Sequence, residues 1–186
     1  MKSKASCLVL VEKLDNELDL MYRMIAKKPV EALCHQPAED QWSVLQICKH
    51  LQLSENLSLK NLQYNMGRIA SRPTISFKNA VSSKMLGLAL QSPLKFKSPV
   101  PTRYDHSPDT LILSDVFKEW SFTRRELKKS IEECAEDAFS KQIYKHPYAG
   151  YLTIGQMMIF FRDHFTHHHK QILQRLRDWQ IAHPEK

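Results

Sequence analysis

Apolar residues recur at intervals of three and four along four stretches of this chain, each long enough for several helical turns. The first stretch predicts a helix from about Ala5 to Ala26, with Leu8, Val11, Leu14, Leu18, Met21 and Ile25 on one face. Lys27 and Lys28 suit the negative end of its dipole, and Pro29 stops it. The second starts near Trp42, where Ser43 and Gln46 have the spacing of a capping box; Ile47, Leu51, Leu57 and Leu62 carry its stripe toward Ile69. The third is predicted to open on Ser107-Pro108 as N-cap and first turn, and to bury Leu111, Val116, Trp120, Leu127 and Ile131. After a loop containing His146-Pro147-Tyr148-Ala149-Gly150, Thr153 and Gln156 cap a last helix that runs to about Trp179.

Between Ser71 and Ser107 the periodicity fails, and Pro73, Pro93, Pro99 and Pro101 mark an extended connection in which Asn79 to Leu90 reads as a short helix. A segment of this length suits a crossover between distant helices. The expected fold is all-α: a single domain over residues 1–186, built as a four-helix bundle with a long crossover connection between the second and third long helices.

Composition narrows the function classes. With 42% hydrophobic and 25% charged residues the chain is neither disordered nor fibrous. No apolar run approaches the length of a membrane span, and Glu12 and Asp15 interrupt the short apolar stretch behind Lys2 and Lys4, so the amino terminus reads as a mature cytoplasmic start. Cys7, Cys34, Cys48 and Cys134 are scattered without a CxxC pair, which favours reduced thiols. The formal net charge is +7, but Lys27-Lys28, Lys95, Lys97, Arg124-Arg125 and Lys128-Lys129 fall in different segments, several beside carboxylates. They read as solvated surface, with no specific nucleic-acid partner.

Histidine carries the candidate chemistry. His164 and His168 have the i, i+4 spacing that stacks two imidazoles on one helix face, on the flank of the apolar stripe. His50 sits on the inward side of the second helix. Two readings fit: hydrogen-bonded core histidines, or three ligands from two helices holding a divalent metal with a coordination position left open. His167 points away from the stripe and His169 toward its far edge. Cys48 reads as a buried inert thiol, Glu55 as solvated surface with ion pairing or an approach to the site as alternatives, and Gln171 as a support for His168 or an ordinary boundary residue. Trp42, Trp120, Tyr148 and Trp179 read as core and helix-junction packing.

The run Trp42-Ser43-Val44-Leu45-Gln46-Ile47 leading to His50-Leu51 and Glu55, the Val100-Pro101 element, and the series His146-Pro147, Gly150-Tyr151-Leu152-Thr153-Ile154, Phe160, His164, His168 and Gln171-Ile172 resemble the DinB-like superfamily, in its DinB_2 or YfiT-like branch. The resemblance spans nearly the whole chain. It implies a four-helix bundle with one long connection, often a homodimer, and a site for nickel, zinc or a similar divalent ion with His50, His164 and His168 as ligands. The abundance of histidine at 167–169 leaves a neighbouring ligand choice open. It further implies either a metal-dependent enzyme, acting as a thiol S-transferase on a low-molecular-weight thiol and a small electrophile or as a hydrolase, or a non-catalytic metal-binding stress or structural protein. No residue is assigned as catalytic acid or base.

Overall fold

The computed structural model describes residues 3–74 and 107–184. The short helix expected at Asn79–Leu90 and the Val100-Pro101 element lie outside the described residues. Four long helices form the body: α1 (Lys4–Ile25), α3 (Val44–Met66), α4 (Leu113–Glu133) and α5 (Ile154–Ala182), with a short α2 (Val30–Cys34) between the first two. Contacts run α1 to α4, α4 to α3, α3 to α5 and α5 back to α1, which makes a bundle in which α3 and α5 are neighbours. The protein is therefore all-α, as its periodicity predicts.

Local chemistry fixes both helix starts that matter for the site. Ser43 accepts from the backbone of Gln46 while the Gln46 side chain accepts from the Ser43 backbone, and Thr153 and Gln156 repeat that arrangement at α5. Each box satisfies free N–H groups of the first turn and fixes where its helix starts. From there Cys7, Val11, Leu14, Leu18, Met21 and Ile25 of α1 meet Leu45, Leu51 and Leu62 of α3, Trp120, Leu127 and Ile131 of α4, and Phe161, Phe165 and Ile172 of α5 in one core.

Three local expectations are corrected. Ser107-Pro108 does not start α4: residues Pro108–Thr110 form a separate 3-10 turn, Ser107 makes no side-chain cap bond, and Leu111 is extended, so the helix begins at Leu113 after Ile112. Leu57 is 38% exposed, while Ser54, Glu55 and Ser58 are buried, so the inward face of α3 beyond Leu51 is largely polar. The loop before α5 contains an antiparallel hairpin, β1 (Tyr144–His146) and β2 (Gly150–Leu152), with Tyr144 opposite Leu152 and His146 opposite Gly150. Gly150 has φ 73, a left-handed conformation that glycine adopts without steric cost. Among the described residues, no helix is long and apolar enough to cross a membrane.

Candidate metal centre

His50 of α3 and His164 and His168 of α5 come together in the bundle interior, 3%, 7% and 7% exposed. The Nε2 of His164 lies 3.1 Å from the Nε2 of His50 and 3.1 Å from that of His168. A ring nitrogen carries one hydrogen or one lone pair, directed outward in the ring plane, so His164 cannot serve both neighbours with good geometry. A shared ion would resolve this convergence. Zinc–imidazole distances of about 2.0–2.1 Å at tetrahedral angles put ligand nitrogens roughly 3.3 Å apart, close to the observed spacing. The three residues fit a divalent metal, and among the described residues they are the group of potential ligands that can hold one.

The surroundings favour the neutral form of His164 and His168. Burial pushes His164 well below the ordinary histidine value, helped by repulsion from His168 and His50, and burial with the repulsion of His50 and His167 does the same to His168. His168 Nδ1 is 2.6 Å from the Gln171 side-chain oxygen, so Nδ1 donates and Nε2 keeps its lone pair for the cluster. Phe160 stacks on the His164 ring at 5.0 Å and 17°, His146 meets Phe160 edge-on at 4.5 Å, and Trp42 lies 5.0 Å from His50. Arg175 anchors the Trp42 segment by donating to its carbonyl at 2.9 Å. His146 accepts backbone N–H bonds from Tyr148 and Ala149 at Nδ1, so its proton sits on Nε2, and burial lowers its pKa to about 4.

Not every sequence expectation for the site survives. His167 and His169 are only half-buried and stand outside the cluster. Cys48 is fully buried and its thiol is pushed up to about 12, consistent with an inert core residue. Trp120 is fully buried and Trp179 packs at the end of the bundle, but Tyr148 is 64% exposed, at the turn of the hairpin rather than in the core. Glu55 is not solvated: it is 2% exposed and takes a two-pronged contact from Arg124, with Nη2 to Oε1 at 2.7 Å and Nε to Oε2. Arg124, read from sequence as surface, is 1% exposed, and its third contact is Asp15 Oδ1 at 3.4 Å. The α4 stripe carries the signal for it, because Arg124 falls between Trp120 and Leu127 on the inward face.

The sequence pattern of the DinB superfamily matches residues 13–172, a span that holds all three histidines. The chain belongs to the DinB superfamily. Comparison with curated proteins and with solved structures gives no significant match. In this DinB protein the three buried histidines could hold a metal ion.

One consequence can be tested without metal. His146, His164 and His168 have folded-state pKa values below that of an unfolded histidine, so the unfolded chain binds more protons than the native one below about pH 6.5. Their stabilising contribution is complete above that pH and is lost as pH falls toward the folded values. Each should remove at most about 1.4 kcal/mol per pH unit within this window. Urea melts of metal-free protein between pH 7.5 and 4.5 check the slope; a flat profile would contradict neutral burial of these rings.

Proposed function

We propose that this protein is a metal-dependent enzyme of the thiol S-transferase type, using nickel or zinc held by His50, His164 and His168, a low-molecular-weight thiol and a small electrophile. The observation that carries this reading is the convergence of three buried imidazoles with no carboxylate among them. Bound there, a divalent ion would supply a Lewis acid that lowers the pKa of a thiol or water in the open position. The chain's own part is to fix the donors. Gln171 sets the His168 tautomer, Phe160 and Trp42 pack against the His164 and His50 rings, and burial keeps the ligand nitrogens free of protons.

The occupation of Glu55 favours thiol transfer over hydrolysis. Glu55 is the carboxylate that α3 carries, and both of its oxygens are engaged by Arg124. A thiol acidified by a metal needs no separate strong base, whereas hydrolysis commonly uses a side chain to move the second proton. Tag-free, metal-loaded protein incubated with an aryl halide or epoxide should form thioether with a small thiol, and His168→Ala should abolish it. Product formation that survives the substitution would remove the three histidines from the reaction. Chelation provides the other arm: an enzyme of this design keeps its helical circular dichroism on metal removal, because the core is made by four helices, and loses only the mass-action stabilisation of the ion. Collapse of the helix signal would instead assign the metal a structural role in a non-catalytic protein.

A further inference from the structure

The positive charge of this protein is less evenly spread than the separated basic clusters suggest, because its carboxylates are unevenly placed. The sequence holds no Asp or Glu between Glu55 and Asp105, and none from residue 138 to residue 162. The fold joins parts of these two segments. Lys145 N–H donates to the Asn61 side chain at 2.9 Å, Gln142 N–H to the Pro73 carbonyl at 2.9 Å, the Gln142 side chain to the Thr74 carbonyl at 2.7 Å, and Thr74 bridges Lys141. The end of α3 and the hairpin therefore make one carboxylate-poor face.

Cations and aromatic rings alternate on it. The Arg68 guanidinium lies 4.1 Å from the centre of the Tyr64 ring, and Arg72 and Lys145 lie 5.4 and 5.8 Å from that of Tyr151. Tyr64 is 62% exposed, which leaves ring surface open beyond its arginine. Two cations therefore share one tyrosine, and no carboxylate among the described residues pairs with either. Arg72 Nε is buried with no hydrogen-bond partner, although its Nη2 donates to Asn65. An anion would relieve the repulsion between these cations.

We propose that this face, built from Arg68, Arg72 and Lys145 with Tyr64 and Tyr151, binds single-stranded nucleic acid without sequence preference. Phosphates satisfy the cations, and unpaired bases stack on the tyrosines, the combination that single-strand binders use. A duplex would offer the phosphates but not the open base faces. An anionic membrane fits less well: among the described residues the large exposed apolar side chains at this end are Tyr64 and Tyr148, while Val9, Leu20 and Phe122, which would suit insertion, lie on α1 and α4. The inference is independent of the metal centre, none of whose ligands it uses.

The test is fluorescence anisotropy of a labelled oligothymidylate of about twenty nucleotides, long enough to span more than one small binding site. The expected result is micromolar binding that weakens with salt. R68Q, R72Q and K145Q combined should weaken it at least about tenfold and make the logarithmic salt slope less negative by roughly 2, the share of three phosphate contacts on a single strand. Y64A should weaken oligothymidylate binding severalfold and leave inorganic polyphosphate binding unchanged. K27Q with K28Q, on the far side of the sequence from this face, should change nothing, and circular dichroism of each variant monitors folding. Absence of binding, equal binding by the folded triple variant, equal loss of polyphosphate binding in Y64A, or preference for phosphatidylserine vesicles over the oligonucleotide would each overturn the proposal.

Discussion

Replacing Glu55 with alanine while leaving Arg124 in place should destabilise the protein by about 3–5 kcal/mol, the cost of an uncompensated buried charge. Arg124 is 1% exposed and, among the described residues, its other anionic partner is Asp15, which reaches it at 3.4 Å with a side chain that is 40% exposed. That longer contact cannot replace two hydrogen bonds from a buried carboxylate. For a chain of this size the loss corresponds to a drop in Tm of roughly 6–20 °C. Replacing the pair together, Glu55→Leu with Arg124→Met, should recover most of it, since a buried ion pair and an apolar pair of similar volume often differ little in stability. Urea denaturation of Glu55→Leu, Arg124→Met and the double variant gives the coupling directly; a loss below about 1 kcal/mol in Glu55→Ala would mean that water reaches Arg124.

This pair also marks where sequence reading stops. Glu55 and Arg124 are 69 residues apart, and nothing near either residue announces the other. The same holds for the hairpin, whose three-residue strands are too short for a period of two to register. Ser54 and Ser58 turn inward beside Leu57, which turns out, because the polar face of α3 meets Tyr144 of the hairpin: Ser58 Oγ and the Tyr144 hydroxyl are 3.0 Å apart. By contrast, the capping boxes at Ser43 and Thr153 and the His164–His168 pair were legible because each is a contact within one or two helical turns. The packing of α3 against α5 brings His50 to them, so the three-histidine cluster was readable once the helices were placed. The exposure of Tyr148 and the burial of Arg124 depended on neighbours that only the tertiary structure supplies.

Removing one imidazole should have the second large effect. Apparent binding energies of about 10–16 kcal/mol for four-ligand zinc sites imply roughly 3 kcal/mol for each ligand, or about a hundredfold in affinity. His164→Ala should lose at least that much, because His164 Nε2 is the atom nearest both of the others. Gln171→Leu should lose less, about tenfold, since it releases the His168 tautomer without removing a donor. His167→Ala should leave affinity nearly unchanged, as His167 stands outside the cluster. Competition titrations against a chromophoric chelator rank the three variants, and an affinity loss in His167→Ala equal to that in His164→Ala would shift the ligand assignment along α5.

The most direct measurement of the central claim is X-ray absorption spectroscopy on tag-free protein loaded with one equivalent of zinc or nickel. The expected spectrum has a first shell containing three imidazole nitrogens at about 2.0–2.1 Å, with the outer-ring scattering of histidine, and that pattern is lost in the His50→Ala, His164→Ala, His168→Ala triple variant. A shell of oxygen atoms without imidazole scattering, or an unchanged spectrum in the triple variant, would contradict it.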